Sequence, residues 1–302
     1  MNSAPVLIGY TAAVGFLAPR ILLRSAWPHR APALAVATWH ALAASFSISA
    51  ALTAYQLAAP TEHLHAGLVG LLHTCGLGSE AATADPNVVE RLAIALPGAV
   101  ILALAASFAF HTIRASRARR RHRDALDKVG TRSDRLRATV LSHDTPAAYC
   151  LPGRRSRIVV SDAAVRLLSA EQLDAVLEHE RAHVSGRHHL MIAAMDAFAS
   201  VFRWVPLARH AKEQTAMLLE MVADDRALRI HEHEVLATAV YEMAANRAPR
   251  GALGAGGHTA LIRMQRILGR RRSTHPAFRG SVAAMASAIP LLPLLVACPP
   301  GL

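Results

Sequence analysis

The stretch VLEHERAHVSGRHH, Val176 to His189, decides how this chain is read. It holds His179, Glu180 and His183 in the order HExxH. Residues four apart share one face of a helix, so both imidazoles point to one spot and can hold one zinc ion. Glu180 stands beside the first of them, within reach of a water on the metal. Zinc lowers the pKa of such a water, and a carboxylate can take its proton and return it to a leaving amine. These residue types at this spacing predict a zinc-dependent endopeptidase with Glu180 as general base. The plainer alternative is a pair of surface histidines on a charged helix.

Upstream, Ser169 with Gln172 three positions on reads as an N-cap and capping box. It predicts a helix from there to about Gly186, after a short helix over Ser161 to Leu168. Before these, LRATVLSHD (Leu136 to Asp144), AAYCLP (Ala147 to Pro152) and SRIVVSD (Ser156 to Asp162) read as strands around a Pro-Gly turn. The middle strand contributes Ala148, Tyr149, Cys150 and Leu151 as candidate substrate-binding residues, because an extended peptide can pair with a sheet edge. An ordinary core strand is the equal alternative.

Catalytic zinc takes three protein ligands and an open position. Glu220, in LLEMVADDRAL (Leu218 to Leu228), is the strongest candidate for the third. Its neighbours Leu218, Leu219, Met221 and Val222 are apolar, and an acid among them calls for a partner. Asp224 shares its face and can hydrogen-bond a ligand histidine from behind. His188, His189 and His210 remain open as rivals. Helices are expected over residues 213–232 and 235–246, and a flexible linker over Arg247 to His258, followed by a short helix in TALIRMQRIL. The apolar run from His188 to Ala208 reads as a buried or membrane-skimming helix ended by Pro206.

The rest of the composition points to a bilayer. Of 302 residues, 53% are apolar, yet 33 Lys and Arg face 21 Asp and Glu, a net charge of +12. The two properties are segregated. Apolar runs over Pro5–Leu23, Ala31–Leu57, Arg91–Phe110 and Gly280–Leu302 are candidate spanning helices. Arg24, His29 and Arg30 follow the first run, while Glu62, Glu80, Asp85 and Glu90 follow the second. HTIRASRARRRHRD (His111 to Asp124) follows the third. Positive charge marks the inner side, so the N-terminus is expected outside and residues from about 111 onward in the cytoplasm. The basic run then meets anionic lipid heads. Nucleic acid is not an expected partner, since no recognisable reading fold or aromatic platform accompanies the charge. Cys75 and Cys298 fall on the outer side, where free thiols are a better reading than a disulfide, and Cys150 falls inside, reduced.

The organisation expected is a membrane domain over residues 1–112, a cytoplasmic metallopeptidase domain over 113–279 and a C-terminal transmembrane helix over 280–302. The fold class is a mostly α membrane protein carrying an α+β zincin-type domain.

VLEHERAHVSGRHH followed by EMVADDRAL resembles the membrane metallopeptidases that include the CAAX prenyl endopeptidase and the heat-shock membrane protease. The shared pattern is HExxH, then a Glu three residues before an Ala-Asp pair. The resemblance runs over about residues 111–280. It implies one zinc on His179, His183 and Glu220, Glu180 as base and Asp224 in support. The multi-helix N-terminal anchor is similar to BlaR/MecR-type signal transducers. That similarity implies a bacterial plasma membrane, a protein or peptide substrate at the bilayer, and a transcriptional repressor as the cleaved partner. Alternatives are quality-control proteolysis of membrane proteins, or a zinc-binding receptor without catalysis. The extracellular penicillin-binding sensor of that type is not carried over. Arg181 stands where an apolar or small polar residue is usual, and is expected at the surface or paired with Glu178 or another acid.

Overall fold

The structure is a computed structural model that describes residues 4–58, 88–153, 156–246, 255–269 and 275–297. The Cys75–Cys298 pair, the acidic residues Glu62, Glu80 and Asp85, and most of the expected linker after Asn246 lie outside the described residues.

Among the described residues four helices are long and apolar enough to cross a membrane, and the protein is an integral membrane protein. Helix α1 spans Ala4–Arg24 and is π-helical over Ala13–Leu17, just before Pro19. A single helical turn over Trp27–Arg30 leads into α2, Pro32–Ala58. Gly15 lets these two approach: a Cβ there would lie 2.9 Å from the Phe46 ring. Helix α3 runs over Val88–Val129. It continues past Phe110 and carries the basic run on the same rod, because Ala and Arg are strong helix formers and no breaker intervenes. Ile101, Leu102 and Phe110 stand exposed along it, as lipid-facing side chains do.

At the end of α3 the chain enters a four-stranded sheet of β1 (Gly130–Ser133), β2 (Ala138–Leu141), β3 (Ala148–Leu151) and β4 (Arg157–Ser161). Its order is β1-β2-β4-β3, with β2 and β4 parallel and the outer pairs antiparallel. Side chains alternate across a strand, and β4 shows it. Ile158 and Val160 face α5, described below, while Val159 packs with Leu126 of α3 and Leu151. The polar β1, GTRS, is a strand additional to the three expected.

Ser161 caps α4 (Asp162–Leu167), and Ser169 with Gln172 forms the full capping box of α5 (Ala170–Ser185). Gly186 and Arg187, the latter left-handed at φ 50°, turn the chain into α6 (His188–Val201). Pro206 opens the next helix instead of ending this one. Helix α6 stops at Val201, and Pro206 takes the first position of α7 (Pro206–Ala227), where a missing N–H costs nothing. Helix α8 spans His233–Ala245, α9 Ala255–Leu268 and α10 Pro276–Ala297, the last with a 3₁₀ turn at Ile289–Leu291.

The largest core joins the two halves of the molecule. Val14, Trp39 and Phe46 from the membrane helices pack with Met195, Phe198, Leu207, Leu218 and Met221 from α6 and α7. Phe46 stands edge-on to Phe198 at 6.0 Å and to Phe202 at 5.1 Å. The expected burial of the 188–208 run is therefore against α2 and α3. A second core lies between the sheet and α5 and α8, through Ile158, Val160, Leu173, Leu177 and Met243.

Candidate metal centre

Helix α5 buries Leu173, Val176 and Leu177 against the sheet. The i, i+4 spacing then turns His179 and His183 toward α7. Helix α7 buries Leu218, Leu219 and Met221, and this rotation presents Glu220 to the two imidazoles.

The three ligand atoms converge. His179 Nε2 and His183 Nε2 are 3.1 Å apart, with Glu220 Oε2 3.5 Å from the first and Glu220 Oε1 3.3 Å from the second. A tetrahedral zinc with bonds near 2.0–2.1 Å sets its ligand atoms about 3.3 Å apart. The donor set therefore fits zinc. This is the His/His/Glu group among the described residues whose atoms could hold one ion.

Each histidine is also held from behind. His179 Nδ1 lies 3.0 Å from Oδ1 of the fully buried Asp224. His183 Nδ1 lies 2.8 Å from His188 Nδ1. The rival ligand His188 thus meets the far nitrogen of His183, away from the Nε2 cluster. Gly186 makes room for it, since a Cβ there would lie 2.5 Å from His188 Nε2. His210, another rival, faces Glu213 at 3.5 Å.

Arg263 on α9 was not legible as a site residue. Its guanidinium donates to both oxygens of Asp224, at 2.6 and 2.9 Å, and to Glu220 Oε2 at 3.0 Å. No spacing within TALIRMQRIL signals this, because the contact crosses some forty residues of chain. The protonation states follow from these contacts. Burial alone would raise the Glu220 carboxyl, but His179 and Arg263 hold it down at about 2. The same neighbours hold Asp224 well below the usual carboxylate range against its own burial. Burial pushes His183 down to about 4, a neutral imidazole with a free lone pair. Burial would also lower His179, yet the neighbouring carboxylates of Asp224 and Glu220 raise it to about 9. A cation at Nε2 displaces that proton, so metal uptake releases protons.

Glu180, next on the helix, is half-buried and lies against Cys150 of β3. Burial, the Glu180 charge and a hydrogen bond to it push the Cys150 thiol up to about 12, so it stays protonated. Strand β3 is the outer strand of the sheet next to β4. Ala148 and Leu151 are buried, while Tyr149, whose hydroxyl is 2.7 Å from His122 Nε2, and Cys150 are half-buried. Arg181 pairs with Glu178 at 3.4 Å and Asp174 at 3.6 Å, and donates to the Leu136 carbonyl. It ties α5 to the β1–β2 connection.

An HExxH helix over a small sheet, with an acid from a second helix closing the ligand set, defines a membrane-embedded zinc metallopeptidase. The model of peptidase family M48 matches residues 112–279, more than half of the chain, and the chain belongs to that family. It is a zinc metalloendopeptidase, with one candidate zinc site among the described residues. No curated protein and no solved structure matches it.

Proposed function

We propose that this endopeptidase cuts polypeptide segments exposed at the membrane surface, in the quality control of membrane proteins. The supporting observation is the joint core: α7, which carries Glu220, and α6, which directly follows the helix of His179 and His183, pack through Leu218, Met195 and Phe198 into the spanning helices. A site built this way works at the bilayer. The proposed division of labour is an anchor over residues 1–112, the catalytic unit over 113–279 and a final anchor over 280–302. The charge bias of the loops supports an outside N-terminus and a cytoplasmic catalytic unit, and the anchor's similarity to BlaR/MecR-type transducers supports a bacterial plasma membrane.

His179, His183 and Glu220 are the proposed zinc ligands. Bound there, zinc supplies Lewis-acid polarisation and a lowered pKa for water. Glu180 accepts the proton of the attacking water as its oxygen adds to the scissile carbonyl carbon. It then delivers that proton to the amine nitrogen as the C–N bond breaks. Asp224 fixes the His179 ring, and Arg263 orients both carboxylates. Ala148 to Leu151 present a sheet edge along which an extended substrate pairs, beside Glu180.

A second reading, cleavage of a transcriptional repressor, draws support from the anchor's similarity to BlaR/MecR-type transducers. The two separate in one experiment. The full chain in proteoliposomes is offered a destabilised membrane protein, its stable parent and a soluble cytoplasmic proteome, beside Glu180→Gln. Quality control predicts cuts in the destabilised protein that vanish in Glu180→Gln while zinc stays bound. A single soluble protein cut at one position, with the destabilised one intact, would move the assignment to a repressor-type substrate.

A further inference from the structure

A cavity of about 950 Å³, whose wall reaches Ala182, Gly186 and His188 beside His183, is at the upper end of small-molecule sites, about 300–1,000 Å³. Its wall includes the turn between α1 and α2 from Ala26 to Leu34, the C-terminal part of α7, α9, and Arg279 in the first turn of α10. Three spanning helices thus begin or end on it.

Its charges are not balanced. Asp225 is held by Arg266 at 2.7 and 2.9 Å, and Arg226 reaches Glu178 at 3.6 Å. That leaves Arg30, Arg229 and Arg279, for which no acidic partner exists among the described residues. All three are exposed on the wall of one space, so an anion that enters it meets three cations. Guanidinium groups bind phosphate oxygens through paired N–H donors. An aromatic pair marks the level of the cavity: Trp27 stands edge-on to Phe278 at 6.1 Å, immediately beside the cavity residues Ala26 and Arg279. Tryptophan gathers at the headgroup layer, and basic pockets between spans bind anionic headgroups.

We propose that this cavity binds the phosphate headgroup of an anionic phospholipid through Arg30, Arg229 and Arg279, going beyond the peptidase site. The headgroup docks the catalytic unit onto the bilayer between α1, α2 and α10.

The test uses the full chain in mild detergent, with phosphatidylglycerol and phosphatidylcholine added at equal amounts and bound lipid counted by native mass spectrometry. The intact protein should retain at least one more phosphatidylglycerol than Arg30→Ala/Arg229→Ala, with no such difference for phosphatidylcholine. Millimolar inorganic phosphate should leave that lipid in place. Zinc content reports whether the variant folds. Should it lose zinc, Arg30→Lys/Arg229→Lys decides, since it keeps the charge and removes the paired donors; its retention should also fall. Equal phosphatidylglycerol on intact and variant proteins overturns the proposal. So does full displacement by inorganic phosphate, which would assign the site to a free anion.

Discussion

Glu180 has no part in the ligand cluster, so its carboxylate and the metal can be separated experimentally. Glu180→Gln should keep one zinc and lose about 10²–10⁴-fold in kcat, the usual worth of a positioned acid–base group; zinc analysis beside a peptide-cleavage assay checks both. Asp224→Asn should behave differently. Zinc affinity should fall about 10–100-fold, because the His179 ring loses its anchor, as competition with a chelator would read. At the surface, Asp162 accepts the His143 backbone N–H at 2.9 Å and pairs with Arg166 at 2.8 Å, which lowers its carboxyl from 3.8 to about 2. A depressed carboxylate stabilises the fold above its unfolded value and stops doing so as pH falls through about 2. The thermal stability gap between the native chain and Asp162→Asn should therefore be full at pH 6 and shrink steadily below pH 4. A gap that is flat with pH would remove Asp162 from the account. The convergence of His179 and His183 was the most legible feature at this scale, since i, i+4 histidines need only a helix to meet. Arg263 was the least legible, because a guanidinium from a distant helix leaves no local pattern.

Among the elements, α5 is specified almost entirely by its own residues. Ser169→Ala removes the side-chain bond to the Gln172 N–H at 3.2 Å and should cost about 1 kcal/mol in denaturant unfolding. Zinc binding should survive, since the ligands lie more than two turns away. The same local logic revealed β3 and β4, whose apolar residues sit inside, and it hid β1. Gly130 to Ser133 is polar and short, and it is a strand because β2 offers it a partner. The apolar run from His188 to Ala208 hid a break for a related reason. Pro206 can end one helix or begin another, and only packing of Leu207, Ala208 and Ala211 into the core decides. Onset of charge after Phe110 likewise says where lipid contact ends, not where α3 ends.

At the scale of the molecule, the anchor and the peptidase share one core, which no single segment could announce. Residues 113–279 expressed alone would expose Phe198, Leu207, Leu218 and Met221. That fragment should aggregate and bind little zinc, as size-exclusion chromatography with metal analysis would read; a monodisperse, zinc-loaded fragment would contradict the shared core. The proposed site holds one zinc between two helices of this unit, through His179, His183 and Glu220. Metal content of the purified full chain tests it most directly, beside Glu220→Ala and His188→Ala. One zinc per chain is expected, lost on Glu220→Ala and kept on His188→Ala. Zinc kept on Glu220→Ala and lost on His188→Ala would place the ion elsewhere and contradict it.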